Sequence, residues 1–140
     1  MANEFTYRRQ DADLIETKTL AAAGATPANG GSIDLGATPA QDSRLAGCEL
    51  EIGSPVLDAT QLPNGETMIY KVEDSADDTT FNDVADLVLT VTGAGGVGAA
   101  ATTERFRLPS TIRRYIRVVA TTSAGTGNCS ASSFTTKLLT

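Results

Sequence analysis

Apolar and polar residues alternate with a period of two along most of this chain, the spacing of a strand that buries one face. Cys48, Leu50 and Ile52 alternate with Glu49 and Glu51 until Gly53 and Pro55 end the run. Met68, Tyr70 and Val72 alternate with Thr67 and Lys71, with Ile69 out of phase. Residues 87–92 (LVLTVT) are apolar at most positions, which predicts a central strand. Phe106 and Leu108 alternate with Arg105 and Arg107 up to Pro109. Ile112, Ile116, Val118 and Ala120 share a face opposite Arg113, Tyr115, Arg117 and Val119. A short strand is expected at 33–35 and a last one within 130–139, while 79–86 hints at a helical turn. Turns rich in Gly, Pro, Asn and Ser separate roughly seven or eight such strands. The pattern predicts an all-β fold, an antiparallel β-sandwich or jelly roll with an irregular N-terminal segment.

The expected organisation is an irregular arm over residues 1–30 followed by a single sandwich domain over 31–140. Residues 7–13 are polar, and 14–23 read equally as a strand or a turn of helix. The pentapeptide GATPA occurs at 24–28 and again at 36–40, two similar loops around a short strand. Two copies are too few for a solenoid.

Composition narrows the chemistry. The 140 residues include no His and no Trp. Without His, the usual general base and the Ser-His and Cys-His nucleophile pairs are missing. Two cysteines far apart, Cys48 and Cys129, are too few for a zinc site. Cys48 sits at an apolar strand position, so both read as buried thiols rather than a disulfide. The N-terminus lacks the features of a secretory signal, and no apolar run could span a bilayer as a helix. Manufacture in the cytosol is therefore expected.

Charge is divided along the chain. Residues 1–104 hold all 17 acids against five bases, and residues 105–140 hold six bases and no acid. Such a split can be satisfied within the fold, between subunits or by a polyanion. Arg105, Arg107, Arg113, Arg114 and Arg117 form a cluster suited to bidentate pairing with carboxylates, and they are the candidate partner-binding residues. The overall acidity argues against nucleic acid. Residues 93–98 match the letters G-x-G-x-x-G but are followed by strand-like alternation and no ribose-binding acid, so a loop is expected rather than a dinucleotide site. The acidic run at 73–78 lacks the order of a calcium loop and reads as solvated. No catalytic residue, metal or cofactor is expected.

Three segments together resemble small structural proteins of tailed bacteriophages. They are Tyr70-Lys71-Val72-Glu73-Asp74-Ser75-Ala76-Asp77 with Phe81 following, Arg107-Leu108-Pro109 leading to Arg114-Tyr115-Ile116-Arg117-Val118, and the Gly- and Ser-rich turn at 122–133. With the short Ala/Thr/Gly-rich chain they are similar to the jelly-roll capsid cement, or decoration, proteins. The likeness covers about residues 66–136. It implies a jelly roll, usually a homodimer, clamped on the outer surface of the virion over joints between major capsid protein subunits of an HK97-like shell. It implies no catalytic residues, no small-molecule substrate, no nucleic acid and no membrane. Another phage particle component, such as a tail or head-completion subunit, and a non-viral β-sandwich binding module remain the alternatives.

Overall fold

A computed structural model describes residues 10–139, with side chains described from residue 14. Nine strands follow in order: β1 (Gln10–Thr19), β2 (Ala28–Asn29), β3 (Ile33–Asp34), β4 (Glu49–Ser54), β5 (Thr67–Ser75), β6 (Asn82–Thr92), β7 (Thr102–Arg107), β8 (Tyr115–Thr122) and β9 (Ser133–Leu139). One 3-10 turn, Ser43–Gly47, precedes β4 and is capped by Asp42, whose side chain accepts from the Arg44 N–H. The first sheet has the order β1-β9-β4-β7 and the second β2-β8-β5-β6, with β3 also pairing with β8. All described ladders between named strands are antiparallel.

Counting β2 and β3 as one interrupted strand beside β8 gives eight strands in the double Greek-key order of a jelly roll. The chain crosses repeatedly between sheets, and β5 with β6 is the one consecutive pair bonded to each other among the described strands. The inward residues are those the alternation selects. Leu50 and Ile52 of β4 and Phe134 of β9 face inward from the first sheet, and Met68, Tyr70 and Val72 of β5 with Ile116 and Val118 of β8 from the second, all essentially inaccessible. The rings of Tyr70 and Phe134 meet at 5.4 Å between centroids and 60° between planes, joining the sheets at the centre. Fully burying each such side chain contributes about 1.5–3 kcal/mol. Cys48 and Cys129 are both buried and free.

Three expectations need correction. The first is the irregular arm over residues 1–30: residues 10–19 are β1 and 28–29 are β2, so the sandwich begins well before residue 31. β1 is held by its ladder to β9, from Ile15↔Lys137 to Thr19↔Ser133, rather than by apolar periodicity, which is why its sequence looks irregular. Residues 1–9 lie outside the described residues. The second is 87–92, which belongs to an edge strand, not a central one, because β6 pairs with β5 alone in its sheet. Its burial alternates strictly there, with Leu87, Leu89 and Val91 inward and Val88, Thr90 and Thr92 outward. The third is the helical turn at 79–86. Residues 82–86 are the start of β6, where the register against β5 shifts between Asp83 and Val88 and Asp86 takes φ 65°. That irregularity is a bulge, and its surplus residues on β6 break the period of two, which is why the stretch does not read as strand.

Candidate interaction surface

The topology brings the basic end of the chain alongside the acidic part. β7 lies beside β4, and β8 lies beside β3 and β5. On the first sheet the register places Arg105 opposite Glu51 and Glu51 opposite Lys137. Arg105 Nε donates to Glu51 Oε2 at 2.8 Å, and Lys137 Nζ lies 3.8 Å from Glu51 Oε1, so one carboxylate sits between two bases in a row across three strands. Arg107 donates to the Ala46 carbonyl at 3.1 Å.

On the second sheet Arg117 is opposite Glu73, and its Nε donates to Glu73 Oε2 at 2.6 Å. The Arg117 guanidinium also lies 4.1 Å over the Phe81 ring. Arg113, on the loop before β8, wraps Asp74. Its backbone N–H donates to Oδ2 at 2.9 Å, its Nε to Oδ1 at 2.8 Å and its Nη2 to the Asp74 carbonyl at 2.7 Å. Arg114 makes a two-pronged contact with Asp34 of β3, at 2.7 and 2.8 Å, and covers the Tyr115 ring at 5.2 Å. The Arg114 hydrogen bond, with help from the Gly36 N–H, lowers the Asp34 pKa to about 2.

The five candidate arginines therefore do not form one patch. Arg105 and Arg107 lie on β7 of the first sheet, Arg117 on β8 of the second and Arg113 and Arg114 on the loop before β8, and each has an intramolecular acceptor. Much of the charge split is satisfied inside the fold. Arg105, Arg107 and Arg114 are exposed, the side chains of Arg105 and Arg114 by 58% and 45%, and they are the members able to meet a partner as well. The carboxylates opposite β7 were legible in part: Glu49 and Glu51 alternate at the same spacing as Arg105 and Arg107, the signature of a charge-matched antiparallel pair.

The acidic run divides in two. Glu73 and Asp74 end β5 in the ion pairs above, so the solvated-loop reading fails for them. Asp77 organises the turn, accepting from Thr79 N–H at 3.0 Å, Thr80 N–H at 2.9 Å and Ser75 Oγ at 2.9 Å. The Thr80 and Thr79 N–H groups, ahead of the Ser75 hydroxyl, lower its pKa to about 2. No group of three or more candidate metal-binding side chains converges among the described residues.

The glycines of 93–98 have a structural use. A Cβ on Gly93 would meet the carbonyls of Leu62 and Pro63, and one on Gly98 would meet those of Leu57 and Asp58. The loop before β5 thus occupies the space beside these glycines, and the two chains lock through Leu57 N–H to Ala99 O at 3.0 Å and the reverse bond at 2.8 Å. Where a dinucleotide fold would place phosphate and a helix, this segment packs on backbone and leads to β7.

A cleft of about 430 Å³ is lined by Asp42, Arg44, Leu45, Gly47 and Cys48. Asp42 is committed to Arg44 there, at 2.7 Å, and the Cys48 thiol is directed at the Arg44 carbonyl, 3.7 Å away, rather than at a base. The five described aromatics are all engaged: Tyr70 and Phe134 in the core, Phe106 against it, Phe81 under Arg117 and Tyr115 under Arg114. None offers a bare platform for stacking a sugar or a base.

No family model matches the chain, and no curated protein matches it. Among solved structures it is similar to one described as "Family 16 Carbohydrate Binding Module-2", at 12% identity over 84% of this chain and 71% of that one, with a TM-score of 0.32. That likeness is too low to carry function.

Proposed function

We propose that the protein is a non-catalytic structural component of a bacteriophage particle, a cement that bridges neighbouring major capsid protein subunits on the outside of an HK97-like shell, and that it acts as a homodimer. The observation that carries this reading is the strand order. A jelly roll is what the likeness over residues 66–136 implies, and β1-β9-β4-β7 against β2-β8-β5-β6 is that order. The side-chain inventory supports it. Asp34, Asp42, Glu51, Glu73 and Asp74 are paired with arginines, Asp58 and Asp77 cap turns, and the described aromatics are covered. What is left outside is a body faced largely with threonines, short side chains and ion pairs, suited to many shallow contacts.

Cementing by such a body works by summation, because each small interface contributes little and the lattice repeats it many times. Arg105 and Arg114, partly open beside Glu51 and Asp34, can share carboxylates of the shell. The test is co-sedimentation of the purified chain with empty shells assembled from the major capsid protein of the same genome. Saturable binding is expected, weakened by salt and by replacing Arg105 and Arg114 with Ala. A chain that stays in the supernatant at every salt concentration would remove the reading.

A further inference from the structure

The sheet edges are closed in different ways, and one half-strand is left open. β7 carries Glu104, Arg105 and Arg107, while β2 and β3 are two residues each. β1 is rich in charged residues and its register breaks against β9. Charges, short strands and irregular pairing all hinder unwanted strand addition. The first half of β6 follows suit, with Asp83, Asp86 and the bulge. Residues 87–92 do not. They hold no charge, proline or glycine, and their ladder to β5 is regular from Val88↔Lys71 to Thr92↔Thr67.

The free side of this run can be identified. The Gly93 N–H donates to the Glu66 carbonyl, on the β5 side. Alternation along an antiparallel ladder then turns the N–H and C=O groups of Val88, Thr90 and Thr92 away from β5. No other described strand pairs with β6. The same three side chains are exposed on the outer face.

We propose that β6 pairs antiparallel with β6 of a second copy about a two-fold axis at Thr90, joining the two β6-containing sheets into one. This deepens the dimeric part of the reading above and does not depend on the shell being the target. A two-fold at Thr90 sets Val88 opposite the mate's Thr92 and Thr90 opposite Thr90, so each of the three outward residues both donates and accepts. Sliding the ladder by two residues runs it into the bulge on one side or the Gly93 turn on the other. On the inner face Leu89 comes beside the mate's Val91, closing the small exposure both retain. Asp83 and Asp86 lie towards one end of β6, so antiparallel pairing keeps the two acidic ends apart, whereas parallel pairing would align like charges. The run is thus complementary to itself, which selects a second copy over a foreign strand.

The experiment uses the full chain, Thr90→Lys, Thr90→Glu and their equimolar mixture, in sedimentation equilibrium with circular dichroism to check the fold. The parent is expected to be a dimer. Each variant alone should dimerise about tenfold or more weakly, because like charges meet on the axis. The mixture should regain the dimer, since Lys then faces Glu. In the parent, hydrogen exchange at the Val88, Thr90 and Thr92 amides should slow as concentration rises, a reading that needs no variant. A monomeric parent, variants that dimerise like the parent, a mixture that regains nothing, or exchange at these amides independent of concentration would each overturn the proposal.

Discussion

The phenol oxygen of Tyr70 and the hydroxyl of Ser54 lie 2.8 Å apart in the interior, a hydrogen bond from β5 to β4 that ties one sheet to the other. Both residues are buried, and burial makes each hydroxyl depend on the other, since an unpaired polar group there is costly. Tyr70→Phe should destabilise the fold by about 1–2 kcal/mol in urea unfolding, chiefly by leaving the buried Ser54 hydroxyl only its long 3.5 Å bond to the Pro55 carbonyl. The double change Tyr70→Phe with Ser54→Ala should recover part of that loss, because removing both partners leaves nothing unsatisfied.

The same phenol predicts an alkaline limit. Burial, against the opposing pull of the Ser54 hydrogen bond, pushes the Tyr70 pKa from 10.0 up to about 12. The folded chain therefore holds this proton where the unfolded chain has released it. The stability it contributes is full below about pH 10 and is lost as pH rises through 12, at most about 1.4 kcal/mol per pH unit. Unfolding measured between pH 9 and 12 should show this decline in the parent and a shallower one in Tyr70→Phe.

The ion pairs should not be equal. Asp74, with its side chain 11% exposed, fixes the loop before β8 through three Arg113 donors, so Asp74→Ala should cost about 2–4 kcal/mol. Arg105 is well exposed beside Glu51, and Arg105→Ala should cost at most about 1 kcal/mol. Chemical denaturation of the two variants in parallel checks the ranking, and equal losses would show that burial does not set it.

The glycine-rich segment makes a similar contrast. A Cβ on Gly98, at φ +79°, would collide with the Leu57 carbonyl oxygen, whereas Gly96, at φ +71°, faces open space. Gly98→Ala should cost more than about 3 kcal/mol through clash and strain together. Gly96→Ala should cost about 1–2 kcal/mol from its left-handed backbone alone. Thermal unfolding of the pair distinguishes a packing role for Gly98 from a merely flexible loop.

Much of this fold was legible in the alternation. Leu50, Ile52, Met68, Tyr70, Val72, Ile116 and Val118 point inward as their spacing predicts, because a strand with one buried face leaves a period of two. β1 was legible only as one of two readings of 14–23, strand or turn of helix: it is an edge strand fixed by backbone pairing to β9, which leaves little apolar pattern. Residues 87–92 read as central because Val88 adds an apolar position on the outer face, and a sequence does not show how many neighbours a strand has. The charge split was visible, but of its resolution only the match of Glu49 and Glu51 to Arg107 and Arg105 left a pattern. Arg113 and Asp74 are 39 residues apart, and Arg114 and Asp34 are 80 apart. Only the jelly-roll order brings them together.

The central claim is that this body strengthens a shell, and shell melting tests it most directly. Empty HK97-like shells of the same genome would be heated in a calorimeter with and without a saturating amount of the protein. The cement reading predicts that the shell-disruption transition moves several degrees upward with added protein, by linkage to binding of the intact lattice. An unchanged transition at saturating protein would contradict it.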